Sequence, residues 1–242
     1  MRSLIGFFAL FPAVCLAQQF QFEVQLDATS MLKNVVALPG NSGTKFALRD
    51  LYGTGTTTTS RYRLTFDAGK GSEWVLLYAP LTLRSTGSLK STVQFGGSTF
   101  SAGVATKAKY RFDSYRLTYR KVWRRWKNGS ISIGGTLKVR DAEIRLEQGG
   151  TLGQTKNTGP VPLLHLLAKQ KLGGGWTVAG DLDFAAAPQG RATDLNLRLS
   201  RALTPTAEAF IGLRYFEGGA DNPTVYCFAE FRSIGIGLAI KF

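Results

Sequence analysis

The chain has 242 residues, 30 Lys and Arg against 16 Asp and Glu, a formal charge of +14, one histidine and two cysteines. Beyond its first residues no stretch approaches the roughly 20 continuous apolar residues of a membrane-spanning helix. So few cysteines and histidines exclude a disulfide framework and a His/Cys metal centre.

Met1-Arg-Ser is a short charged start, Leu4 to Leu16 is an apolar run of signal h-region length, and Cys15-Leu-Ala17 supplies the small residues a signal peptidase needs. Residues 1–17 are read as a cleaved secretory signal and 18–242 as one domain, without internal repeats. Acylation of Cys15, the lipoprotein alternative, is disfavoured by the Pro12-Ala-Val ahead of it. Removal of Arg2 leaves 29 basic and 16 acidic side chains, a charge of +13. A soluble basic chain of this size would suggest nucleic acid, but export argues against that. The natural anionic partner is then the phosphorylated head group of a membrane lipid. Cys227 remains alone, too few for an internal disulfide.

Alternating segments follow at roughly 20–30, 57–67, 72–83, 107–123, 130–147, 160–171, 175–186, 191–201, 206–216 and 225–242. Ten strands put both chain ends on the same side. Residues 43–53 are assigned to the first long connection or to a hairpin extension, and a further strand in 89–96 would raise the count to twelve. Connections near 68–71, 124–129, 172–174 and 202–205 are short. Those near 31–56, 84–106, 148–159 and 217–224 are long, and 187–190 is short although it falls in the second set. Trp74, Trp123, Trp126 and Trp176 all lie beside the first set, where indole rings would form an interfacial girdle.

The last nine residues, Ile234-Gly-Ile-Gly-Leu-Ala-Ile-Lys-Phe242, alternate without a break. Ile234, Ile236, Leu238, Ile240 and Phe242 share one face, and nine to eleven tilted residues suffice to cross a bilayer. The pattern resembles the closing strand of Gram-negative outer-membrane β-barrels. With the signal, the dyad strands and the asymmetric turns, the resemblance covers residues 18–242 and implies an all-β, antiparallel up-and-down transmembrane barrel. It also implies that Phe242 is the assembly signal read by the barrel-assembly machinery, that the short turns are periplasmic, and that the lipid partner includes lipopolysaccharide. A mean hydropathy of −0.03 is compatible, because each strand hides a polar face.

Facing follows from the cost of charge in lipid, about 2–4 kcal/mol for Arg or Lys at the midplane. Arg116, Arg120, Lys138, Arg140, Asp181, Asp183, Asp194, Arg198, Glu208 and Arg214 should face the lumen as a mixed-charge network. Tyr115, Leu117, Tyr119, Ile133, Leu137, Val139, Ile211, Leu213 and Tyr215 should face lipid. Two phase changes break the period. Apolar parity moves from odd to even around Arg140-Asp141, and Glu230 and Arg232 would turn toward lipid. A β-bulge or a strand projecting above the membrane explains either one; for 225–232 projection is preferred, and for Asp141 both remain open.

His165 in Val161-Pro-Leu-Leu-His-Leu-Leu167 is the one candidate general base, placed near the outer end of its strand with Asp181, Asp183 or Glu143 as possible partners. There is no His-x-Ser, so a lumen histidine paired with an acidic neighbour is the simpler reading, and Asp181 and Asp183 are more simply counter-ions to arginine. No phosphate loop or metal spacing occurs, and no cofactor or metal is implied. The functional expectation is a structural or narrow-pore barrel with a charged lumen. The alternatives are a lipid A hydrolase using His165 and an adhesin acting through its loops.

Overall fold

The computed structural model describes residues 19–242; the signal read over 1–17 lies outside them. In chain order the strands are β1 (Phe20–Ala37), β2 (Phe46–Ala47), β3 (Thr56–Gly69), β4 (Ser72–Ala79), β5 (Thr82–Ser88), β6 (Val93–Phe95), β7 (Ser98–Phe100), β8 (Ala105–Trp126), β9 (Gly129–Gln148), β10 (Thr151–Gly173), β11 (Trp176–Ala187), β12 (Gly190–Ala202), β13 (Ala207–Asp221) and β14 (Tyr226–Lys241). One 3-10 turn, Leu48–Leu51, follows β2.

Every pairing in the main sheet is antiparallel, and β14 closes on β1 from Gln21 opposite Lys241 to Ala37 opposite Tyr226. Strands β4 and β5 occupy one wall position, both paired with β8. The wall therefore has ten positions, in the order β1, β3, β4/β5, β8 and then β9 to β14. The extra strand considered in 89–96 is β6, which forms a separate two-stranded hairpin with β7 and meets Leu38, just past β1, through a single bridge at Phe95.

One end of the barrel carries the start of β1, the C-terminal Phe242 and the turns around Lys70, Asn128, Gly174 and Thr204. There Phe20 and Phe242 exchange backbone hydrogen bonds of 3.0 and 2.9 Å, and all four tryptophans are exposed on the wall. Trp74 packs on Tyr119 at 4.9 Å and Phe20 stacks on Phe242 at 5.9 Å.

At the other end the strands run further than the sequence reading allowed. The expected loop at 148–159 is mostly strand, with only Gly149-Gly150 turning, both at positive φ. Likewise β1 continues to Ala37, β5 to Ser88 and β13 to Asp221. The reason is polarity rather than period. In the lower wall the outward side chains are apolar, as at Tyr115, Leu117 and Tyr119 of β8 or Ile133, Leu137 and Val139 of β9. Further along the same outward face they become Lys107, Lys109, Arg111 and Asp113, and Asp141, Glu143, Arg145 and Glu147. The inward face changes the opposite way, from Arg116 and Thr118 to Thr106, Ala108 and Tyr110, and from Thr136 and Lys138 to Ile144 and Leu146, all of them buried.

No bulge marks this change in β9, whose register runs unbroken against β8 and β10 past Asp141. The alternation inverts because the strand leaves the apolar belt; water outside and a packed interior then demand the reverse pattern. Strand β14 does the same, with Phe231 buried and Glu230 and Arg232 turned outward. In β1 a bulge between Met31 and Lys33 resets the phase, so that Asn34 and Val36 point in.

Candidate functional site

The lumen has two layers. The lower one is an ion-pair lattice built from the inward face of nearly every wall strand. Arg116 on β8 binds Asp183 on β11 at 2.7 Å and also pairs with Asp194 on β12. Asp194 accepts two hydrogen bonds from Arg214 on β13, at 2.8 and 2.7 Å. Asp183 further accepts from Thr136 at 2.8 Å and holds His165 Nδ1 at 2.8 Å.

Nearer the turn end, Arg63 on β3 reaches Asp181 on β11 at 2.8 Å and Arg198 on β12 reaches Glu23 on β1 at 2.8 Å. Arg120 donates to Glu73 at 2.6 Å, and the Lys169 ammonium stands 3.9 Å from the same carboxylate. Arginine suits these positions because its rigid fork serves two carboxylates at once. Between the side chains a cavity of about 30 Å³ lined by Glu23, Arg63, Glu73, Arg120, Lys169 and Asp181 remains, room for about one water.

Three residues expected in this network lie outside it. Lys138 has no carboxylate within ion-pair distance among the described residues; its ammonium stands 4.7 Å from the ring centres of both Phe112 and Phe216, where cation–π attraction replaces a salt bridge. Arg140 sits where the lining turns apolar and donates to Asn157 at 2.8 and 3.2 Å. Glu208 stands at the turn-end rim against Lys241 at 3.4 Å.

Conversely Glu23, Asp27, Arg61, Arg63, Glu73 and Lys169 line the lumen without having been singled out. The signal for them was the same alternation, Arg61, Arg63 and Thr65 against Tyr62, Leu64 and Phe66. Arg61, 4% exposed, leaves Nε and Nη1 without a hydrogen-bond partner among the described residues.

His165 is deeper than expected. It lies opposite Gly134 on β9 and Asp183 on β11, is 6% exposed, and turns its Nε2 toward Arg120 at 3.4 Å. Of its possible partners only Asp183 holds it. Asp181 belongs to Arg63, and Glu143 is on the outer wall with Lys109 at 2.7 Å. The atom that a general base would present to a nucleophile faces a guanidinium instead.

The upper layer is apolar. Inward side chains Met31, Val36, Leu83, Tyr110, Ile144, Leu146, Phe216 and Phe231 meet Phe46, Leu48, Leu51, Leu89, Val93, Phe95 and Phe100 from the connections. The 3-10 turn fills the wall gap between β1 and β5 above the start of β3, anchored by Arg49 Nε to the Met31 carbonyl at 3.0 Å and Ser85 Oγ to the Leu51 carbonyl at 2.7 Å. Burial there pushes the Tyr52 phenol above its ordinary range.

The β6–β7 hairpin crosses the mouth. The Gly96 N–H donates to the Leu38 carbonyl at 3.2 Å on one side and the Ser98 hydroxyl to the Leu152 carbonyl at 2.9 Å on the other. A β-carbon at Gly153 would strike the Phe95 carbonyl and the Phe100 ring, so the hairpin seats only because that position is glycine.

Both layers are joined across the full bore. In a ten-position wall β3 and β11 stand five places apart, as do β8 and β13, which is diametrically opposite. Arg63–Asp181 spans the first pair and Phe112–Phe216, at a ring distance of 5.3 Å, the second.

No family model and no curated protein sequence matches this chain. Among solved structures, the outer membrane protease OmpT from Escherichia coli superposes with a TM-score of 0.54 at 11% identity, covering 92% of this chain and 96% of that one. An outer membrane channel from Pseudomonas putida F1 gives 0.46 at 8% identity over 93% and 96%. The attachment invasion locus protein Ail of Yersinia pestis gives 0.40 at 7% identity over 93% and 99%. The OmpT likeness is one of fold alone. The chain is an outer-membrane-type β-barrel, closed, antiparallel and ten strands around.

Proposed function

We propose that this protein is an integral outer-membrane barrel of a Gram-negative bacterium, exported by cleavage of residues 1–17, that serves as a sealed structural platform rather than as a pore or an enzyme. The observation that carries this reading is the pair of diametric contacts, Arg63–Asp181 below and Phe112–Phe216 above. A solute crossing the lumen would have to break a largely buried ion pair, each side chain 12% exposed, and then part an aromatic core. The termini and the tryptophan girdle belong at the periplasmic side, and the projecting strands with their cap at the cell surface.

A lipid A hydrolase using His165 finds no support in the geometry. The ring is buried under the cap, fixed by Asp183 and faced by Arg120. Planar-bilayer recording of the refolded barrel tests the sealed reading, with mass analysis of lipid A from expressing cells run beside it. The expected outcome is no stable conductance step and no loss of an acyl chain. A steady open level, or deacylation dependent on His165, overturns it.

A further inference from the structure

The outward face of the projecting strands carries an arrangement that neither the lumen nor the cap explains. At one register level Arg84 on β5 lies directly opposite Lys109 on β8, and Lys109 directly opposite Arg145 on β9. Directly opposed cross-strand side chains have Cβ atoms only about 4.5–5.5 Å apart, and like charges in that relation repel. Three cations abreast therefore repel, and of the three only Lys109 and Arg145 have a carboxylate of their own among the described residues to offset it.

The surrounding carboxylates are already engaged. Glu143 takes Lys109 at 2.7 Å and stands 3.6 Å from Arg111, Asp141 takes Arg111 at 2.8 Å, and Glu147 takes Arg145 at 3.1 Å. Arg84, and Lys107 one step further along β8, form no ion pair among the described residues and are exposed. Together with Ser85, Thr86, Ala108, Lys109, Arg145 and one carboxylate, Glu147, which lies opposite Lys107 and is paired with Arg145, they line an open groove of about 520 Å³.

Height selects the ligand. The apolar belt ends at the stacked row Tyr62–Tyr78–Tyr115, with ring distances of 6.2 and 4.9 Å. Lys109 lies six residues beyond Tyr115, about 20 Å along a strand at ~3.3 Å per residue. For a tilt of ~35–45° that is about 15 Å above the belt. Half of the difference between the hydrocarbon core and the whole bilayer is only about 5–8 Å, so a glycerophospholipid phosphate sits well below the row.

We infer that the Arg84–Lys109–Arg145 row with Lys107 is a binding site for the phosphorylated sugars of a tall membrane glycolipid, whose acyl chains would lie against the tyrosine row below. This rests on the outer-membrane reading, which supplies such a lipid at that height.

The test uses the full barrel reconstituted in neutral lipid vesicles, with added lipid read as a rise in apparent melting temperature and as half-saturating concentration. The probes are rough lipopolysaccharide with phosphorylated core sugars, lipid A alone, phosphatidylglycerol and inorganic phosphate. The core-bearing glycolipid should raise the melting temperature, less so at high salt. R84Q/K107Q, which breaks no ion pair, should weaken that binding roughly tenfold, as should R145Q separately. R191Q on β12 should bind like the wild type. Equal binding by the wild type and both cation variants overturns the site, as does a full response to lipid A, phosphatidylglycerol or phosphate. A wild type that never inserts into vesicles would reject the outer-membrane reading instead, and heat-modifiable mobility reports that separately.

Discussion

Asp194→Ala should be among the most damaging single changes to the lumen. The carboxylate is 4% exposed and is shared by Arg116 and Arg214, whose side chains are themselves largely buried. Without it Arg214 has no ion pair and Arg116 keeps only Asp183. Arg61 and Lys138, which have no salt bridge of their own, face the same region. Arg116 would then depend on one carboxylate that His165 also uses, and Arg214 would have none of its own. Removing one partner of a buried pair costs about 3–5 kcal/mol because the other is left charged and dry. That is a large part of a typical total stability of about 5–15 kcal/mol. Lys90→Ala, which breaks the exposed Lys90–Asp50 pair at the loop end, should cost about 0–1 kcal/mol. Urea unfolding in vesicles, followed by emission of the four lipid-facing tryptophans, measures both. Arg214→Ala added to Asp194→Ala should recover part of the loss, since it removes one orphaned cation. If Asp194→Ala shifts the midpoint no more than Lys90→Ala, the lower lumen is not held by its ion pairs.

Four further outcomes are expected. Phe95→Ala empties the centre of the cap and should cost about 3–5 kcal/mol in a vesicle melt while leaving the bilayer recording silent, because the Arg63–Asp181 layer still closes the bore; a conducting Phe95→Ala would show that the cap alone seals it. Gly153→Val should displace the β6–β7 hairpin and increase proteolysis within residues 91–102 relative to wild type; equal cleavage refutes the seating of the hairpin on β10. A membrane-impermeant thiol reagent on intact cells should reach a cysteine at Asp221 and not one at Asn128, in a Cys227→Ser background; the reverse labelling inverts the orientation. Deleting Phe242 should lower the heat-modifiable, inserted fraction, and wild-type insertion would remove it as an assembly signal.

The lower barrel was legible because lipid imposes a strict rule. Every second side chain between Tyr115 and Tyr119, or between Ile234 and Phe242, has to be apolar, and the charges are thereby forced inward. Partner choice was not legible, since Arg63 and Asp181 are 118 positions apart and Arg198 and Glu23 are 175 apart. Nothing local to Asp181 distinguishes an arginine across the bore from one on the next strand. The depth of His165 was misjudged for a related reason. Its height depends on where β10 begins, and with 148–159 taken as a loop the strand was read from 160, nine residues after its observed start at Thr151. The cap was the least visible element. Val93, Phe95 and Phe100 flank a glycine turn, where the sequence suggested only one further strand in 89–96, and which mouth they cover depends on strands that close far away in sequence.

The inversion of polarity along single strands also accounts for two features of composition, a mean hydropathy near zero and a large excess of basic charge. A strand such as β8 places Arg116 and Arg120 inside while Tyr115 and Tyr119 face lipid. A few residues earlier it places Tyr110 inside while Lys107 and Lys109 face out. Summed over its length it is neither hydrophobic nor polar, which is why a mean hydropathy of −0.03 conceals a membrane protein. The excess of basic charge divides accordingly. Below, the arginines are held by carboxylates inside a narrow bore, where each unpaired cation is costly and the lattice sets the register of the wall. Above, Lys109 and Arg145 pair with Glu143 and Glu147, but Arg84 and Lys107 pair with no carboxylate among the described residues, and glutamine at either would serve the sheet as well or better. Charges that the fold does not need, placed at one height over an aromatic belt, are explained by what lies outside the protein.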